Sequence, residues 1–81
     1  MSSILEQIPL HEMEEILDSN HIYHAKPNQS DIAMHHLTVI WKLYVEPTFE
    51  PTCGKCLNRV LTNFKNIQEK MIEHVKLNKL I

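Results

Sequence analysis

Glycine is almost missing from this chain: one occurs in 81 residues, alongside four prolines. Folds made of many short strands need many tight turns, and tight turns lean on Gly and Pro. The scarcity therefore argues for a few long helices. Cysteine is scarce as well. Both copies fall in one short motif, whereas small secreted domains carry four or more in a disulfide framework, so a reducing, cytosolic setting is expected. No run of 18 apolar residues occurs, and no membrane span is expected. The amino terminus (MSSILEQIPLHEMEE) lacks the basic and long apolar regions of a secretory signal. Gly-rich phosphate loops, GxSxG, HExxH and paired catalytic carboxylates are all missing, so an enzyme is not expected.

What remains is an ordinary globular mix, with 43% hydrophobic and 22% charged residues. The length allows one domain, residues 1–81, whose folding buries only about 60–65% of the surface the unfolded chain exposes. The net charge of −2 excludes a strongly basic, generic nucleic-acid binder. That charge is unevenly spread. Residues 1–50 set two lysines against eight acids, whereas residues 51–81 set six bases against Glu69 and Glu73. Such polarity suits head-to-tail self-association or an acidic partner as well as it suits nucleic acid.

The apolar spacing predicts an all-α, three-helix, bundle-like domain with a long C-terminal helix. Leu10, Met13, Ile16 and Leu17 make one apolar face of a helix over about 9–18, entered at Pro9 and stopped by Asp18-Ser19-Asn20. Residues 19–28 show no period and read as a connector. Asn28 or Ser30 is placed to cap a helix over about 29–45, which ends before Pro47. Ten of its positions between Ile32 and Val45 are apolar, far more than one stripe, and a helix apolar most of the way round is normally covered on several sides. The EPTFEPT link offers Phe49 as a plug for the core. Thr52 suits the cap of a helix over about 53–80, with a seam from Leu57 through Phe64 and Met71 to Val75. That helix would be about 42 Å long, against roughly 25 Å and 15 Å for the other two. Two short helices laid along a long one leave part of the middle helix bare, so a second copy or another protein is expected to cover it.

Cys53-Gly54-Lys55-Cys56 is the one motif that carries chemistry. The first turn of a helix lowers a thiol's pKa, but no strand precedes it as in thioredoxin-like redox sites. Two thiolates at this spacing also suit tetrahedral zinc, with His21 and His24 of the preceding HxxH as the other ligands, although the order and interval differ from those of zinc fingers. The plainest alternative is that both cysteines simply pack the helix start. The six histidines fit ordinary loop and half-buried positions. Trp41 and Tyr44 share a face and suit either core or contact surface. Lys55, Arg59, Lys65, Lys70, Lys76 and Lys79 run the whole length of the third helix, where a DNA-recognition helix would cluster its bases near the N-terminus.

The run Ile40–Val60 (IWKLYVEPTFEPTCGKCLNRV) resembles small uncharacterised all-helical, CxxC-containing proteins of tailed phages of gut bacteria. About a quarter of the chain is covered. The resemblance implies a phage or mobile-element origin and a place in the host cytoplasm or the virion, and it assigns no functional residue. The expected function is a non-enzymatic interaction or assembly protein, working as an oligomer or as an accessory subunit of a larger particle. Trp41, Tyr44, Phe64 and Met71 are expected at or behind its contact surface. The alternatives are a small DNA-binding regulator or packaging factor using the third helix, and a zinc-stabilised binding module.

Overall fold

A computed structural model of the chain describes residues 4–50 and 54–79. These form an all-α, bundle-like domain in which a long C-terminal helix is the spine. Five helices follow one another: α1 (Ile4–Gln7), α2 (Leu10–Ser19), α3 (His21–His24), α4 (Ile32–Tyr44) and α5 (Gly54–Lys79). Three are long, as the spacing predicts, and two are single turns. At 1.5 Å per residue α5 runs about 39 Å, matching the longest dimension of the molecule, 41 Å. The shorter helices lie along it. Among the described residues no helix is long and apolar enough to cross a membrane.

One face of each long helix makes the core. Met13 and Ile16 come from α2, Met34, Leu37, Ile40 and Trp41 from α4, and Leu57, Val60, Leu61, Phe64, Met71 and Val75 from α5. On α4 the spacing of three and four explains the choice, because at 100° per residue these positions fall within one arc. Trp41 meets Phe64 edge to face, with ring centroids 5.9 Å apart, a geometry that the ring quadrupoles favour. The indole N–H of Trp41 is buried and meets no acceptor among the described residues.

The ends of the helices show where local chemistry overrules pattern. Asn20 takes the left-handed conformation (φ 57°), and its N–H reaches back to the Ile16 and Leu17 carbonyls, so α2 stops there. The chain then makes one further turn, α3, rather than a plain connector, because Ile22 is drawn into the core. The cap of α4 is neither Asn28 nor Ser30. The Asn28 side chain is occupied by the Ser30 N–H (2.9 Å), which forms a local turn. Asp31 therefore becomes the cap, and its Oδ2 accepts the N–H of Met34 (2.8 Å) and that of Lys26 (3.1 Å). These bonds hold the Asp31 carboxyl below the usual carboxylate range. The expected cap of α5, Thr52, lies outside the described residues.

Phe49 does plug the core, and it is held from both sides. It follows a turn closed by its own N–H on the Glu46 carbonyl (3.0 Å). The Arg59 guanidinium lies 5.7 Å from the ring centroid, and its Nη2 contacts both Glu46 carboxylate oxygens at 3.4 Å. One arginine thus pins the link between α4 and α5 through a cation–π contact and an ion pair.

Two outcomes follow from this packing. Phe64→Ala, at a site with no exposed surface, is expected to cost about 3–5 kcal/mol. That is a large share of the stability of a chain this size, and thermal melting followed by circular dichroism reads it. Asp31→Ala should lower the melting temperature, while Asp31→Asn, which keeps an accepting oxygen, should lose less. Equal losses from the two substitutions would mean that the cap is not what Asp31 contributes.

Candidate functional site: the outer face of α4

The residues expected to form a contact surface are mostly internal. Phe64 and Met71 are fully enclosed, and Trp41 is 4% exposed. Their apolar surface is already covered by the chain's own helices. Tyr44 is half-buried beside the Glu12 carboxylate. Burial first, and then the Glu12 charge, push the phenol pKa up. Trp41 faces inward because it shares the inner arc of α4 with Met34 and Leu37, three and four residues apart.

The surplus apolar surface of α4 lies on the opposite side. Ile32 is 81% exposed, Leu43 61% and Val39 39%. Their spacing of seven and four places all three on one line along the helix, roughly opposite the inner arc. Val39, Lys42, Leu43 and Pro47 line a shallow, mostly apolar groove that extends the stripe past the end of α4. His36 borders one edge of the stripe, while His35 and Lys42 follow the other, as 100° per residue requires. In the sequence, aromatic residue type singles out Trp41 and Tyr44. The seven-and-four spacing of the branched aliphatics was the signal available for the stripe.

A second feature joins α3 to α4. Nδ1 of His21 and Nδ1 of His36 are 2.7 Å apart. The rings are nearly perpendicular, at 83°, with centroids 4.8 Å apart. At this distance one ring donates and the other accepts. The pKa of His21 lies below its ordinary value. Loss of water around the ring is the main cause, followed by repulsion from His36 and His24, and these outweigh the pull of Asp31 and Glu15.

The residues proposed for zinc divide differently. His21 is engaged with His36, while His24 is exposed and stacks edge to face on Tyr23 (5.2 Å). Cys56 is half-buried on the first turn of α5, and Cys53 lies outside the described residues. The start of α5 does reach the connector after α3: a Cβ placed on Gly54 would sit 3.7 Å from the Pro27 carbonyl oxygen, in ordinary contact. Among the described residues no three His, Cys, Asp or Glu side chains are grouped to hold a metal ion. The six bases of α5 are exposed but distributed around its outer surface, and Arg59 is tied to Glu46.

The histidine contact gives stability a pH dependence of definite sign. The unfolded chain takes up a proton at the ordinary histidine value near 6.5, and folded His21 takes it up only at lower pH. The stability contributed by neutral His21 is therefore complete above about 6.5 and falls as the pH drops through the window below it. The melting temperature should be lower at about pH 5.5 than at about pH 7.5, and His36→Gln should shrink that difference. An unchanged difference in the variant would show that the pair is not its source. No protein-family model, curated protein or solved structure matches this chain.

Proposed function

We propose that this chain is a non-enzymatic interaction and assembly protein that docks through the outer face of α4, as an oligomer or as an accessory subunit of a larger particle. The observation that carries this reading is the aligned exposure of Ile32, Val39 and Leu43, continued by Pro47, on a helix whose other side already fills the core. Single exposed aliphatic residues are unremarkable. A line of them, bordered by charged and polar groups, is how a contact surface is built. The resemblance of Ile40–Val60 to phage proteins supports a phage-type setting, in the host cytoplasm or the virion.

DNA binding through α5 is less well supported. Its bases lie in several directions around the helix and one of them is paired, which gives no concentrated phosphate-facing track. A zinc-stabilised module would need Cys53 together with ligands that the described residues do not gather.

Leu43→Glu is the discriminating variant. Leu43 is well exposed, so the substitution should leave helicity and melting within about 0.5 kcal/mol of the parent. Light scattering coupled to size exclusion, at about 200 µM, should find the parent above 9.5 kDa and the variant at the monomer mass. A parent and variant that both associate, and to the same extent, would contradict a docking role for this face, and a monomeric parent would leave only the accessory-subunit form of the reading.

A further inference from the structure

We propose that His21 and His36 form a binding site for a divalent late transition-metal ion of tetragonal preference, nickel(II) or copper(II), held between α3 and α4. The site is independent of the docking reading above, and it uses neither cysteine of the CxxC motif.

Two imidazoles from separate helices turn the same ring atom toward each other. Their Nδ1 atoms, 2.7 Å apart, are both metal-ligating nitrogens. Both residues are half-buried, so solvent and ions reach the pair. In the metal-free chain one Nδ1 donates to the other. An ion replaces that bond once the donor ring carries its proton on Nε2 instead, a change of tautomer that releases no net proton. Burial and the neighbouring imidazoles keep His21 neutral at pH 7, the form that ligates. Asp31 and Glu15 also act on His21, and their negative charge favours a bound cation.

The spacing selects the metal. Imidazole nitrogens bound at about 2.0–2.1 Å stand about 2.8–3.0 Å apart when they subtend a right angle, and about 3.3–3.4 Å apart at the tetrahedral angle. The observed 2.7 Å lies beside the first of these separations. With ring centroids 4.8 Å apart the two nitrogens face each other nearly head on. A small turn of each ring brings both lone pairs to one point beside that line. Tetrahedral zinc would need the helices to part by more than about half an ångström. Right-angled nitrogen and oxygen ligation is the geometry of copper(II) and nickel(II). Among the described residues no third His, Cys, Asp or Glu joins the pair, so water completes the coordination and the ion exchanges readily.

The test uses nickel(II), which does not oxidise thiols, on the untagged chain carrying Cys53→Ser and Cys56→Ser, so that no thiolate competes. Because the ion ties α3 to α4, the melting temperature should rise and level off with nickel(II) up to about 1 mM, and rise less with zinc(II). Measured against their own metal-free melts, His21→Gln and His36→Gln should each weaken the nickel(II) response by about tenfold or more. His24→Gln and His35→Gln should leave it in place. Paramagnetic nickel(II) should broaden the NMR signals around residues 21 and 36 first, a reading that needs no substitution of either histidine. A melting response that survives both His21→Gln and His36→Gln, or broadening centred on other histidines, shows adventitious binding and overturns the site, as does no response at all. A zinc(II) response equal to that of nickel(II) overturns the right-angled geometry.

Discussion

The structure depends on how α4 is covered. Its sequence is apolar on nearly every side, and the chain supplies cover for one side only. On the inner arc, Met34, Leu37, Ile40 and Trp41 meet α3 and the middle of α5, and burial of these side chains is the main force holding the helices together. The remaining helices are too few and too short to wrap the outer arc as well. α2 lies along α5, α3 is a single turn, and the link after α4 is drawn inward by Phe49. A small chain with a thin core thus keeps a line of aliphatic side chains at its surface, and this line is the basis for its proposed role.

The polar devices serve that arrangement. Asp31 fixes where α4 begins, Arg59 holds the link that follows it, and the short ring contact between His21 and His36 ties α3 to the flank of α4 beside the outer stripe. Each is a short-range contact at a boundary of α4. Together they set the orientation of the helix, and so which of its residues face water. His21 adds a dependence on acidity to the same boundary, because loss of water and the neighbouring His36 and His24 disfavour its protonated form.

Much of the fold was legible in the sequence, and the reasons are physical. α2, α4 and α5 are long enough for apolar spacing to accumulate into a signal, and Pro47 and the Asp18–Asn20 stop mark real ends. α3 was not legible, because four residues hold no period and Ile22 is buried only by tertiary contact. The cap of α4 was misplaced by a few residues, since Asn28 and Asp31 are both good caps and only the folded loop shows which one is already engaged. The surplus width of α4 is visible in its composition, and the seven-and-four spacing of Ile32, Val39 and Leu43 marks the side it falls on. Aromatic residues drew attention because they dominate contact surfaces in general, and here the indole fills the core while plain aliphatics face outward. The His21–His36 contact joins positions fifteen apart, and no local pattern announces it.

The central claim is that the outer side of α4, and no other surface, is where this chain docks. Amide nitrogen–proton NMR spectra recorded over a dilution series, from about 1 mM to about 20 µM, test this most directly. The account predicts concentration-dependent shifts centred on Ile32, His36, Val39 and Leu43, with the inner residues Leu37 and Trp41 and the basic face of α5 nearly still. Spectra unchanged across the whole series would leave only the accessory-subunit form of the reading, and shifts confined to α5 would contradict it.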